Sequence, residues 1–216
     1  MTQISGNSSL HLRPEEIEAG SFRIIDEEVG EHGWPDAEWQ VVRRVIHTSA
    51  DFEYAGSMIF SPNVIEKAVA AIKSGAGIVT DTNMALSGIN KPRLVPFGTA
   101  LSCHIADSDV GILAKREGVT RSVLAIRKAI RELHNRIFVI GNAPTALFEL
   151  LRLIEEDEVK PALIIALPVG FVGAAESKTA LAAGGHGIPF ITNIGRKGGS
   201  NVAAAVVNAL AILVGA

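Results

Sequence analysis

The sequence predicts an α/β fold: a single domain with a mostly parallel sheet and helices on both faces. Three later segments share one form, in which a short continuous apolar run enters a turn rich in Gly and Pro and then a helical pattern. That form is a strand feeding a crossover helix. An earlier apolar run, Gly77 to Thr80, adds a further strand. The 216 residues, 48% hydrophobic and 20% charged, are enough for one domain with a sizeable core.

Taken in order, Met1 to Ser9 is polar and aperiodic and reads as a loose, flexible N-terminal segment, which leaves residues 10–216 as the domain. No linker or internal repeat divides them. Pro35 stands where a first helical residue is favoured. Asp36 and Glu38 fall in the first turn, and Trp39, Val42 and Ile46 recur on one face, so this helix ends close to His47. The clearest amphipathic helix has Ser61 as N-cap and Pro62 after it. Its apolar positions are Ile65, Ala68, Val69 and Ile72, and Gly75 stops it.

The three strand-to-helix units follow. Ile137 to Ile140 runs into Gly141-Asn-Ala-Pro144, after which Leu147, Leu150, Leu151 and Ile154 keep helical spacing. Leu163 to Leu167 runs into Pro168, Val169 and Gly170. Phe190 to Thr192 runs into Gly195-Arg-Lys-Gly-Gly-Ser200 before a final helix. Right-handed crossovers would join these units, and ligands of such sheets bind outside the carboxyl ends of the strands, where the turns gather.

Composition narrows the partners. A formal net charge of −3 with scattered Lys and Arg speaks against nucleic acid. Val202 to Val214 is too short for the roughly 20 apolar residues of a membrane span and reads as a buried helix. Cys103 is the only cysteine, which excludes an internal disulfide and a multi-cysteine metal site. No basic segment followed by an apolar one opens the sequence, so a reducing, cytoplasmic setting is expected.

Candidate site residues come from the turns and from one histidine. Gly195 to Ser200 offers backbone N–H groups at a helix N-terminus and two cations, so phosphate or carboxylate would suit it. A tight turn that needs Gly for backbone reasons explains the same residues, and both readings stand. The turn lacks Walker A spacing, and no segment matches G-x-G-x-x-G with its downstream acid. His47, followed by Thr48, Ser49 and Asp51, sits where the negative end of a helix dipole favours a cation, as suits a proton donor; helix stability alone favours the same placement. Thr80, Asp81, Asn83 and Met84 fall at the ligand edge, though Asp and Asn there also suit the start of a helix. Arg121 follows Thr120, an expected N-cap, and is either a surface residue or an anion ligand. Cys103, beside His104, reads as a small buried residue rather than a reactive thiol. His11, His32, His134 and His186 lack the i, i+4 spacing of a metal pair, so no metal site is expected.

Several strings together resemble the precorrin-8X methylmutase family, in the family's order over nearly the whole chain after the first dozen residues. They are Ser21-Phe-Arg-Ile-Ile25, Val45-Ile-His-Thr48 with Asp51 to Tyr54, Thr80-Asp-Thr-Asn-Met-Ala-Leu-Ser-Gly-Ile89 and Thr120-Arg-Ser122. To these are added Ile140-Gly-Asn-Ala-Pro-Thr-Ala-Leu147, Leu167-Pro-Val-Gly-Phe-Val-Gly-Ala-Ala-Glu-Ser-Lys178 and Gly195-Arg-Lys-Gly-Gly-Ser200. The resemblance implies an isomerase that moves a methyl group from C-11 to C-12 of a corrin precursor without external cofactor. It implies proton transfer by His47, substrate contact by Ser21, and a homodimer with sites near the subunit interface.

A large apolar ring fringed with carboxylates would need a broad apolar pocket rimmed by cations and helix N-termini. The frame expected for it comprises Ser21, Arg121, Arg196 and the turns at Asn142, Gly170 and Gly198 to Ser200, with Gly199 between. Thr80, Asp81 and Met84 complete the expected set, and Lys197 is given no role. The Thr80 to Ile89 string leans toward the branch whose substrate carries cobalt, an ion that the ring nitrogens would hold. Rival readings are a tetrapyrrole-binding or channelling protein without chemistry, and a phosphate-binding enzyme that uses the Gly195 to Ser200 turn.

Overall fold

The computed structural model describes residues 13–132, 134–184 and 187–215. The expected loose segment Met1 to Ser9, with His11 and His186, lies outside the described residues. The strands are β1 (Met58–Phe60), β2 (Gly77–Thr80), β3 (Leu101–Ser102), β4 (Asn135–Ile140), β5 (Leu163–Ala166) and β6 (Phe190–Asn193). They form one sheet in the order β1-β6-β5-β4-β2-β3, with every neighbouring pair parallel except β1 and β6. The helices are α1 (Pro14–Val29), α2 (Asp36–Ser49), the single turn α3 (Tyr54–Ser57), α4 (Val64–Lys73) and α5 (Asn83–Gly88). After them come α6 (Ser108–Glu117), α7 (Arg121–Ala129), α8 (Pro144–Glu155), α9 (Ala174–Ala182) and α10 (Ser200–Val214).

Strand periodicity divides the core between two faces. Ile78, Ile137, Val139, Leu163, Ile165 and Ile191 point to the face covered by α2, α4 and α10, while Val79, Phe138, Ile140, Ile164 and Ala166 point to the face covered by α7, α8 and α9. Because both faces are covered, the central strands β2 and β5 are buried along their whole length and read as unbroken apolar runs. The predicted fold class, and its strands at 77–80, 137–140, 163–167 and 190–192, match this architecture.

Three local expectations are corrected. Ser61 does not cap α4: its Oγ accepts from the Phe190 N–H at 2.9 Å, stitching the α4 entry to β6, and Asn63 occupies the cap position with φ 56°. Pro35 is the cap residue of α2 instead of its first helical residue. Thr82, and neither Asp81 nor Asn83, caps α5, its Oγ1 accepting from the Ala85 N–H at 3.1 Å.

On the α8 side, Glu149 is 7% exposed and meets Arg127 and Arg152, each at 2.7 Å. Burial pushes this carboxyl up, but bonds to the two guanidiniums outweigh burial and hold it below the usual carboxylate range. A depressed folded pKa contributes stability that is complete above the unfolded value and lost as pH falls through the folded one. Melting temperature is therefore expected to fall more steeply on acidification below about pH 4.5 in the wild type than in Glu149→Gln. Equal slopes in a calorimetric pH series would remove Glu149 from the acid sensitivity.

Candidate active site

Strands β2 to β6 run parallel, so their carboxyl ends share one edge of the sheet, and the turns after them gather there. Antiparallel β1 begins at the same edge, with Met58 opposite Asn193 and the Ile194 N–H donating to the Ser57 carbonyl at 2.8 Å. α3 and the preceding loop connect β1 to α2, so the carboxyl end of α2, which carries His47, is brought to this edge. A surface ion pair fixes the connection: the Lys197 ammonium lies 2.6 Å from Asp51 and 3.0 Å from Glu53. The Lys197 contact holds the Asp51 carboxyl below its ordinary range, and Asp51 in turn raises the lysine.

His47 lies in the last turn of α2, exposed, and its imidazole has no hydrogen-bond partner among the described residues. Its ring is tilted against Phe22 of α1 at 5.2 Å between centroids. Phe22 is also covered by the guanidiniums of Arg43 and Arg44, 4.5 and 4.7 Å from its centroid, which gives α1 a fixed seat on α2. Ser21 therefore stands next to the residue that touches His47. Its Oγ donates to the Ile17 carbonyl within the helix at 2.8 Å, leaving the oxygen free to accept.

Thr80 and Asp81 are each 2% exposed, so a ligand resting on this edge meets neither side chain. Asp81 is instead the brace of the β4–α8 turn. Its carboxylate accepts from the N–H groups of Gly141, Asn142 and Ala143 at 3.0, 2.8 and 2.7 Å. Burial pushes this carboxyl up, against the pull of those three donors. The N–H groups expected to cradle an anion at Asn142 are thus already satisfied, and what faces outward is the exposed Asn142 side chain.

The Gly195 to Ser200 turn is similarly committed. The Gly199 N–H donates to the Leu167 carbonyl at 2.9 Å, and Gly170 donates to the Arg196 carbonyl at 3.2 Å. Ser200 is buried, and its Oγ is 2.8 Å from the Thr82 Oγ1. A Cβ on Gly141 would sit 2.7 Å from the Ser200 Cα, so two turns close over the start of α10. Gly199 and Ser200 are buried in this contact, which is a backbone reason for small residues. The cation that remains outward is Arg196, its guanidinium 5.8 Å above the Phe171 ring. Arg121 is exposed at the start of α7, beside a hydrogen bond of 3.1 Å between Thr120 and Thr145 that ties the α7 and α8 starts.

Large apolar side chains share the edge with these cations. Met84 is 70% exposed at the start of α5, which follows β2, and Phe171 is 85%, Val172 89% and Ile194 63% exposed on the loops after β5 and β6. Cys103, just past β3, is half-buried, and burial pushes its thiol up, away from a reactive thiolate. His104 is buried against Asp107 at 3.1 Å.

Residues 16–213 match the family described as Precorrin-8X methylmutase. The chain belongs to that family. It is 52% identical over 204 residues to the Cobalt-precorrin-8 methylmutase of Priestia megaterium, covering 94% of this chain and 90% of that one. The Precorrin-8X methylmutase of Sinorhizobium sp. is 41% identical over 191 residues, 88% of this chain and 90% of the other. The solved structure of precorrin-8x methyl mutase from Thermus thermophilus superposes with a TM-score of 0.84 at 40% identity, covering 93% and 96% of the two chains.

The methylmutase edge also holds residues to which the sequence reading gave no part. Lys197 and Asp51 tie the catalytic candidate's helix to the last turn. Lys178 is buried beneath that turn. Its signal was present in the sequence: Ala174, Ser177, Lys178 and Leu181 are the i, i+3, i+4 and i+7 positions of α9, so the lysine stands where a core residue belongs.

Proposed function

We propose that this methylmutase moves the methyl group from C-11 to C-12 of precorrin-8X or its cobalt form, giving hydrogenobyrinate or cobyrinate, with His47 transferring the proton. The observation that carries this reading is the juxtaposition at one sheet edge of an exposed histidine, two exposed arginines and four exposed apolar side chains. Exposed apolar side chains beside cations suit a flat ring with a carboxylate fringe. Ser21, Met84, Arg121, Asn142, Gly170, Arg196 and Gly198 would meet substrate, and Thr80, Asp81, Gly199 and Ser200 would support them from within.

Protonation by His47 makes the macrocycle electron-poor and promotes migration; the methyl leaves C-11 as it bonds C-12, and return of the proton keeps substrate and product isomers. No protein-held cofactor takes part, and cobalt, where present, arrives in the substrate. The cobalt form is favoured, since the relatives from Priestia megaterium and Salmonella typhimurium, 52% and 47% identical, carry the name Cobalt-precorrin-8 methylmutase. The enzyme works as a cytoplasmic homodimer that hands its product to the next enzyme. No helix among the described residues is long and apolar enough to cross a membrane.

The test is incubation of the purified protein with precorrin-8X and with cobalt-precorrin-8, followed by visible absorption and product mass. Rearrangement at constant mass is expected, faster with the cobalt form. Tight binding without rearrangement would make the protein a carrier, and binding of neither would end the corrinoid reading.

A further inference from the structure

Lys178 is 1% exposed. Its ammonium donates to the Asn193 Oδ1 at 3.1 Å and to the Lys197 carbonyl at 2.6 Å. Asn193 closes the arrangement by donating its Nδ2 to the same Lys197 carbonyl at 3.0 Å and to the Ile194 carbonyl at 3.1 Å. No carboxylate forms an ion pair with this ammonium among the described residues. Glu176 of the same helix is exposed, and Asp51 and Glu53 engage Lys197 instead.

A buried cation without an anion is costly to the fold, and a merely structural position would be filled as well by an apolar side chain. The location explains why a lysine stands there. It pins the carbonyl of Lys197, one residue after Arg196, while the Arg196 carbonyl is held by the Gly170 N–H at 3.2 Å. The backbone that presents Arg196 is thereby held at two successive carbonyls, one of them by a buried positive charge.

We propose that Lys178 is a positioning residue: its ammonium sets the Arg196 turn and supplies an interior charge that a substrate carboxylate neutralises. The inference rests on the reading of this edge as the corrinoid site. Burial alone lowers the lysine to about 8. Charged groups on the surrounding elements are Arg196 and Lys197 on the turn, Glu176 on α9, and Glu149, Arg152 and Glu155 on α8, and β6 carries none. Glu149 is paired with Arg152, and Lys197 with Asp51.

The test compares steady-state kinetics of wild type and Lys178→Met with cobalt-precorrin-8. A charge that acts on binding in ground and transition states alike should raise KM roughly tenfold and change kcat less than about twofold, with a melting temperature close to the wild type's. Loss of stability with both kinetic constants unchanged would reduce Lys178 to a fold residue and overturn the proposal, as would loss confined to kcat. Should the variant fail to fold, the wild type decides alone: KM is expected to rise as pH passes from 7 to 9, and a flat KM would overturn the proposal. Absence of wild-type turnover would remove the corrinoid site itself and this proposal with it, whereas normal wild-type turnover with an unaffected Lys178→Met would defeat the lysine's role only.

Discussion

Replacing His47 with alanine is expected to lower kcat for the rearrangement by about two to four orders of magnitude, the usual contribution of a positioned acid or base. The side chain is exposed at the end of α2 and has no hydrogen-bond partner among the described residues, so its removal leaves no buried group unsatisfied. What the fold loses is one tilted ring contact with Phe22. The variant should therefore melt near the wild type and still bind the macrocycle, because the exposed apolar residues and Arg196 remain in place. Single-turnover absorption traces at saturating substrate separate the step from binding. A variant that rearranges substrate at the wild-type rate would exclude His47 as the proton-transfer group and leave enclosure of the ring as the source of catalysis.

Why His47 was legible and other residues were not follows from range. Helix α2 announces itself through Trp39, Val42 and Ile46 on one face, and the histidine's place in its last turn follows from counting residues. The strands at 77–80, 135–140, 163–166 and 190–193 are legible because burial on both faces leaves apolar runs between glycine-rich turns. β1 and β3, three and two residues long, are too short to carry a period. α1 was passed over because Ile25 is the one buried side chain among its described residues and Gly20 and Ser21 stand at its centre.

The site's inner supports depend on partners remote in the chain. Asp81 binds N–H groups 60 to 62 residues away, and Ser61 bonds Phe190 across 129 residues. No local pattern distinguishes Asp81 from a helix cap or a ligand, and the same chemistry that makes serine a good cap let Ser61 serve the sheet edge instead. The exposed residues Met84, Asn142 and Arg196 were legible as a group because parallel-sheet topology collects the turns, whereas Arg121 entered only as the residue after an expected N-cap. Which of their neighbours face inward was decided by packing.

The Gly195 to Ser200 turn supplies the second large effect, in Gly198→Ala. A Cβ at position 198 would lie 2.1 Å from the Leu167 carbonyl oxygen, 2.8 Å from its carbon and 2.9 Å from the Pro168 oxygen. All three atoms are backbone, so no rotamer change relieves the clash, and either the β5–α9 turn or the last turn must move. Overpacking of this kind costs about 1–3 kcal/mol, and more where backbone must shift. Displacement would stretch the Gly199 bond to Leu167 and carry Arg196 away from Gly170. A melting temperature several degrees below wild type is expected, together with a raised KM for the corrinoid. Gly195→Ala is the control, since φ is +80° there but no atom lies within 4 Å of the added Cβ. It should cost about 1 kcal/mol of backbone strain and leave KM nearly unchanged. Should Gly198→Ala lower the melting temperature and spare KM, the turn would be a packing device alone; a rise in KM beyond that of Gly195→Ala would mean that close approach of the two turns shapes the surface the substrate meets.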